Sequence, residues 1–229
     1  MNKKISFLLA ISILIGGFIV LKPFDTSQET TSEITESTSS FLSNEITNTI
    51  LTIGESEAPV TIVEYFDYKC PACNGFHQTV HKDIDDTYIK PGLVKYEIRI
   101  TPIIGPDSAT AARGAYCANE QGVFADYHEA VLKHMYDNYY ANRNYSAEYE
   151  SILTSHRLAE IGASFIPDRD NFVECTDSEK YNIALDANLE AAADDSIRGT
   201  PGFKVGRQSF VGGQPFNVFR TLIEIELGR

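Results

Sequence analysis

Two cysteines separated by two residues lie at the junction between a predicted strand and a predicted helix. The run VTIVEYF at 60–66 has the composition of a buried strand, and the residues after Cys73 can continue as a helix. Cys70 would then lie at a helix start, where free backbone N–H groups and the helix dipole favour a thiolate. Pro71 fits the first turn, because its missing N–H is not needed there. Such a pair indicates thiol–disulfide chemistry more than a structural role.

A metal site is the alternative interpretation of the same motif. A structural zinc site usually has a second pair of ligands, and no second C-x-x-C pair occurs in the chain. His77 nevertheless lies four residues after Cys73, on the same helical face. A three-ligand site of Cys70, Cys73 and His77, as in a metal-binding thiol chaperone, therefore stays open at this point.

The charge balance of the chain argues against two classes of partner. The 229 residues include 32 acidic and 19 basic residues, which gives a formal net charge of −13. Without Lys3, Lys4 and Lys22, 16 basic residues remain and the net charge becomes −16. A surface of this sign repels nucleic acids and anionic membrane surfaces. The sequence therefore predicts no nucleic-acid partner.

Residues 1–22 are predicted to be a targeting segment. Two lysines in residues 2–4 precede an apolar run at 5–21 that has 17 residues and no charge. This run is long for a signal-peptide core and at the short limit for a membrane span. We favour an uncleaved anchor, with a cleaved signal peptide as the alternative. In both cases the rest of the chain is exported, so the predicted location is extracytoplasmic and disulfides are permitted there.

The composition then predicts a linker and one folded domain. Of the 24 residues at 26–49, 13 are Ser or Thr, with few apolar side chains to bury. We therefore assign residues 23–49 to a disordered linker and residues 50–229 to a single domain.

Within the domain, strands come first and last, with helices between. The expected strands are 51–53, 60–66 and 93–100, followed near the end by a hairpin of 203–205 and 208–211. Helical patterns fill most of the interval from about 105 to 196, including an amphipathic helix expected at 146–161, and Pro215 begins a last helix. The strand–helix–strand start predicts a parallel pair joined by a right-handed crossover.

Several separated motifs, in this order, resemble the DsbA-like branch of the thioredoxin-fold family. They cover residues from about 51 to the end and occur at 58–67, 70–73, 117–124, 172–175, 199–203 and 210–215. The resemblance implies an α/β thioredoxin fold, a central mixed sheet flanked by helices, with an all-helical subdomain inserted at about 105–196. The predicted anchor and linker would precede it.

The resemblance also assigns roles to individual residues. Cys70 would be the exposed nucleophile and Cys73 its buried partner. Thr200 and Pro201 match a loop whose proline is cis and whose backbone pairs with an extended substrate segment. Glu64 matches the buried acid that takes up or supplies the proton of the inner cysteine, and its inward alternation along the strand favours burial.

Cys117 and Cys175 form a second pair of cysteines. Some relatives carry a non-catalytic bridge, and four cysteines in an exported protein suggest two disulfides. We therefore expect a structural disulfide, with two buried free thiols as the alternative.

The resulting functional prediction is an extracytoplasmic thiol–disulfide oxidoreductase that forms disulfides in exported proteins and needs no cofactor. Its substrates would be the thiols of exported or unfolded proteins. The resemblance implies a membrane redox partner linked to quinone. The dipeptide Pro71-Ala72 lacks the histidine that strongly oxidising relatives carry, and Thr200 resembles the isomerase branch equally well. An isomerase or reductase is therefore the alternative within this class, and a non-catalytic peptide-binding module is a further alternative outside it.

Overall fold

The computed structural model describes residues 43–229. The predicted anchor at 1–22 and most of the predicted linker lie outside the described residues. The linker prediction also differs from the structure where the two overlap. Residues 43–47 are helical, because Ile46 packs against the core instead of remaining in solvent.

Within residues 43–229, five strands form one mixed sheet, as predicted. They are β1 (Leu51–Ile53), β2 (Val60–Phe66), β3 (Val94–Ile100), β4 (Gly202–Val205) and β5 (Gln208–Val211). Their order across the sheet is β1-β3-β2-β4-β5. Only β2 and β3 are parallel among these neighbouring pairs, and the other three pairs are antiparallel. β2 and β3 lie next to each other inside the sheet, and most of their side chains are buried. Their largely apolar sequences suit this position.

Eight α-helices of five or more residues alternate with the strands within residues 71–229. The helices are α1 (Pro71–Gln78), α2 (Val80–Ile84), α3 (Ser108–Glu120), α4 (Phe124–Asn138), α5 (Ser155–Ile161), α6 (Arg169–Asp177), α7 (Asn182–Asp194) and α8 (Phe216–Glu226). A π-helical turn at Asp85–Ile89 extends α2, and 3₁₀ turns occupy Tyr140–Asn142 and Tyr145–Glu148. Helices α3 to α7 lie between β3 and β4 in the chain, which matches the expected helical insertion.

Two helix predictions need correction. The first helix is interrupted at Thr79, whose φ of −125° and ψ of −88° are not helical. The expected helix at 146–161 is a 3₁₀ turn followed by a non-helical stretch, and α5 begins only after Thr154. The cause of the second difference is tertiary, because Asp107 Oδ2 accepts the backbone N–H groups of Ile152 and Leu153, both at 2.5 Å.

The register of the sheet brings two distant loops together. β4 runs antiparallel to β2, with Tyr65 opposite Gly202. The carboxyl end of β2, which leads to Cys70, therefore lies beside the start of β4, which follows Pro201. Within residues 43–229, no helix is long and apolar enough to cross a bilayer.

Candidate active site

Cys70 caps the start of α1. Its backbone is extended, with φ −76° and ψ 116°, and its Sγ accepts the backbone N–H of Cys73 at 3.2 Å. Pro71 follows in the first turn, as expected for a residue that lacks a backbone donor. The Cys70 sulfur therefore occupies the position where a helix N-terminus stabilises negative charge.

The two thiols of the pair differ in acidity. Hydrogen bonding from the Cys73 side chain lowers the pKa of Cys70, although burial opposes this shift. Burial raises the pKa of Cys73 well above the ordinary thiol value, and the neighbouring Cys70 adds to the increase. Cys70 is thus the thiol that ionises first, whereas Cys73 keeps its proton.

The exposure expected for Cys70 is wrong in this structure. Only 3% of its surface is exposed, and Cys73 is fully buried. The carbonyl oxygen of Thr200 lies 3.4 Å from Cys70 Sγ, and the backbone N–H of Cys73, in the first turn of α1, contacts the same sulfur at 3.2 Å. Both cysteines are free thiols here.

The loop before β4 provides that carbonyl group. The Thr200–Pro201 peptide bond is cis. The Pro201 carbonyl accepts the backbone N–H of Gly212 at 2.7 Å, which ties the loop to the end of β5. Pro201 is buried and Thr200 is partly exposed. The structure therefore brings the sequence-predicted Thr200 and Pro201 next to Cys70.

Glu64 lies beneath the pair on the central strand β2 and is fully buried. Its Oε2 atom accepts hydrogen bonds from His77 Nε2 at 2.8 Å and from Tyr96 OH at 3.0 Å. Its Oε1 atom has no hydrogen-bond partner within the described part of the chain, residues 43–229. The negative charge of Glu64 also contributes to the raised pKa of Cys73, so the carboxyl group and this thiol are electrostatically coupled.

The histidine partner of Glu64 is a feature that the sequence motif did not reveal. His77 is 5% exposed, and its ring centroid lies 4.4 Å from that of His81 and 4.9 Å from that of His128. In the sequence, the only indication of a role for His77 is its position four residues after Cys73. Its contact with Glu64 forms only when α1 packs against the sheet.

No group of three or more potential ligands is arranged to hold a metal ion among residues 43–229. The alternative site of Cys70, Cys73 and His77 is therefore not formed.

A second buried polar network holds the residues that precede Cys70. Lys69 is fully buried, and its Nζ donates to Asp107 Oδ1 at 2.5 Å and to the Glu150 carbonyl at the same distance. Tyr140 OH donates to the Lys69 carbonyl at 2.6 Å.

Asp67 belongs to the same network. Its carboxylate accepts three backbone N–H groups and the Ser108 hydroxyl, and burial raises its pKa. This network fixes the loop before Cys70 to the helical insertion, and sequence reasoning missed it.

Cys117 and Cys175 form a disulfide that joins α3 to α6, with 6.0 Å between their Cα atoms. Both residues are buried, and they lie away from the start of α1 in the helical insertion. The bridge therefore links two helices of the insertion.

Comparison with known proteins agrees with this architecture. The family model described as Thioredoxin matches residues 46–225. The crystal structure of oxidised BdbD from Bacillus subtilis superposes with a TM-score of 0.68 at 24% sequence identity. That match covers 78% of this chain and 92% of the BdbD chain, and it establishes similarity of fold.

Two curated relatives carry names that refer to disulfide chemistry. A Rickettsia prowazekii protein named as a protein-disulfide oxidoreductase is 29% identical over 158 residues, which are 68% of this chain and 53% of that protein. Probable disulfide bond formation protein D of Bacillus cereus is 26% identical over 180 residues, 76% of this chain and 77% of that protein. The matched region spans about half the length of the Rickettsia relatives. The chain belongs to the thioredoxin family, and its fold is that of the DsbA-like proteins.

Proposed function

We propose that this protein is an extracytoplasmic thiol–disulfide oxidoreductase that forms disulfides in exported proteins through Cys70 and Cys73. The observation that carries the proposal is the unequal environment of the two sulfurs. Cys70 accepts a backbone N–H at a helix start and lies 3.4 Å from the Thr200 carbonyl, whereas Cys73 is fully buried. A pair of this kind has one ionised sulfur that exchanges with substrates and one that completes the internal disulfide.

The proposed reaction follows from this inequality. A substrate thiolate attacks Cys70 Sγ of the oxidised pair, and the bond between Cys70 and Cys73 breaks with its electron pair on Cys73. Cys73 takes a proton, for which its raised pKa provides the driving force. A second substrate thiolate then attacks the substrate sulfur of the mixed disulfide and releases Cys70 as a thiolate. Its lowered pKa stabilises this reduced product, which favours transfer of the disulfide to the substrate.

Exposed apolar side chains near Cys70 support a polypeptide substrate. Val211, 47% exposed, pairs with Gly202 beside the Pro201 loop. Ile103 is also exposed, at 52%, and its backbone N–H is bound by Asp67, three residues before Cys70. We infer that an extended chain adds to the Thr200 backbone and that its side chains contact these apolar residues.

The location and the redox partner are parts of the same proposal. The bridge between Cys117 and Cys175 suits an oxidising compartment, and the apolar run at 5–21 suits export, either as an anchor or as a cleaved signal. After each cycle Cys70 and Cys73 must return two electrons to an acceptor. We assign this step to a quinone-linked partner in the membrane.

Equilibration of the full chain in glutathione buffers of graded potential tests the direction of the reaction. Alkylation followed by peptide mass analysis reports the Cys70/Cys73 pair separately from Cys117 and Cys175. If the pair stays reduced until the buffer is strongly oxidising, and if the oxidised chain reactivates a reduced substrate protein, the proposal holds. A pair that is already oxidised in reducing buffer would instead indicate a reductase or an isomerase. Cys70→Ser is the control that should abolish every exchange activity.

A further inference from the structure

Glu64 is hydrogen-bonded to a histidine that also lines a cavity. The Glu64 side chain is fully buried, and its Oε2 atom lies 2.8 Å from His77 Nε2. A buried acid that exchanges a proton with Cys73 must itself regain or lose that proton in each cycle. The fully buried pair of Glu64 and Cys73 offers no direct contact with solvent. A group that links Glu64 to water is therefore required.

His77 also lines a cavity between α1 and α4. The cavity has a volume of about 350 Å³, enough to contain several water molecules. Its walls combine residues from β1, from the α1–α2 region and from α4: Ile53, His77, Gln78, His81, Lys82, Asp85, Ala125, His128, Glu129, Leu132 and Lys133. His77 therefore contacts the buried carboxyl group on one side and the cavity on the other.

The cavity wall beside His77 is polar. The Nε2 atoms of His81 and His128 are buried and have no hydrogen-bond partner among residues 43–229. Buried nitrogens of this kind are satisfied by water in most proteins. Burial also holds the pKa values of both imidazoles well below their ordinary value, so neither places a positive charge against His77 near neutral pH.

The ionisable groups around His77 come from every element that packs against it. They are Cys73 on its own helix, Glu64 on β2, Tyr96 on β3 through its bond to Glu64, His81 on α2, and His128 on α4, with Lys82, Asp85, Glu129 and Lys133 at the cavity wall. Of these groups, Glu64 is the one that hydrogen-bonds to His77.

We propose that Glu64 exchanges its proton with solvent through His77 and this histidine-lined cavity. His77 then positions Glu64 and passes its proton, a role that rests on the proposed function of the cysteine pair. During reduction of the pair, the S–S bond breaks, Cys73 leaves with the electron pair, and Glu64 donates a proton to it. A proton from cavity water restores Glu64 through His77. A substrate dithiol releases two protons when it is oxidised. One of them balances the proton that Cys73 takes up, and the other stays in bulk solvent because Cys70 is released as a thiolate.

The rate at which dithiothreitol reduces the oxidised full chain, measured between about pH 5 and pH 8, tests the route. His77→Gln retains a hydrogen-bond donor for Glu64 but cannot pass a proton. We expect this variant to lower the rate about tenfold and to flatten its pH dependence, since a positioned proton-transfer group contributes at least this much. The equilibrium potential of the pair should stay at the wild-type value. His156→Gln is the matched control, because His156 is exposed and lies outside the cavity.

Two further variants separate proton transfer from a structural role. In His77→Ala, imidazole added to the buffer should restore the rate, because the cavity can admit it beside Glu64. Ala125→Trp should slow the reaction by filling the exposed side of the cavity while leaving His77 and Glu64 in place. Wild-type pH profiles for both His77→Gln and Ala125→Trp would overturn the route. Dithiothreitol reduces the pair whatever the natural substrate is. Failure of wild type to oxidise proteins would therefore count against the proposed function and leave the route test valid.

Discussion

Removal of the carboxylate charge from Asp107 should strongly destabilise the fold. Asp107 Oδ1 accepts the Lys69 ammonium group at 2.5 Å, and the two side chains are 6% and 0% exposed. In Asp107→Asn the ammonium group keeps only neutral acceptors, the new amide and the Glu150 carbonyl. Breaking a buried ion pair by removal of one partner typically costs about 3–5 kcal/mol. We expect a loss near 4 kcal/mol, a large share of the roughly 5–15 kcal/mol that holds a domain folded.

Urea unfolding of the full chain measures this loss, and two comparisons identify its cause. Asp137→Asn removes the same charge from the exposed pair of Lys133 and Asp137, which also has a separation of 2.5 Å, and should produce no measurable change. Lys69→Met combined with Asp107→Asn should be more stable than Asp107→Asn alone, because no unpaired ammonium group is left buried. If Asp107→Asn costs as little as Asp137→Asn, Lys69 is not held as a buried cation and the argument fails.

Four other outcomes follow from the structure. Replacing Cys117 and Cys175 by Ser should reduce the free energy of unfolding in urea by about 4 kcal/mol, the chain-entropy value for a loop closed over 58 residues. Gly105→Ala should cost about 1–3 kcal/mol in thermal unfolding, because a Cβ atom there would lie 2.5 Å from a backbone oxygen. In the reduced protein, the thiolate absorbance of Cys70 should titrate below the ordinary thiol range and that of Cys73 well above it. Because folding lowers the pKa of Cys70, ionisation of this thiol should stabilise the reduced fold at alkaline pH. This contribution should disappear as the pH falls through the pKa of the folded state. Urea unfolding of the reduced protein and of Cys70→Ser at several pH values measures the difference.

The elements that the sequence predicts well are those whose patterns are local. The runs that form β2 and β3 are apolar because both strands are buried at the centre of the sheet, so their composition alone identifies them. The helix start at Cys70 follows similarly from Pro71 and the preceding strand. The failed helix at 146–161 has the opposite explanation, since the backbone of Ile152 and Leu153 is captured by Asp107, which is distant in sequence.

The same distinction applies to the candidate site. The cysteine motif and the family resemblance predicted Cys70, Cys73, Glu64 and the Thr200–Pro201 loop as site residues. The structure brings Thr200 next to Cys70. The burial of Cys70 depends on the Thr200 carbonyl from another part of the chain and was not predicted.

The partners of the motif residues were equally hidden in the sequence. The contact between His77 and Glu64 depends on how α1 packs against the sheet. Lys69, next to the motif, has the sequence character of a surface residue, and only its pairing with Asp107 makes its burial possible. Each contact joins residues that are distant in sequence, so no spacing pattern along the chain predicts it.

Burial alone would make the two sulfurs of the pair equally reluctant to ionise, since it raises the pKa of any thiol. The difference between them comes from their position relative to the first turn of α1. Cys70 precedes that turn and accepts the N–H of Cys73, a donor that has no partner inside the helix. Cys73 lies within the turn, where burial, the neighbouring Cys70 and the charge of Glu64 all raise its pKa. The order of the two cysteines along the chain therefore decides which thiol is the more acidic. In the proposed reaction, it also decides which sulfur exchanges with the substrate and which takes up a proton.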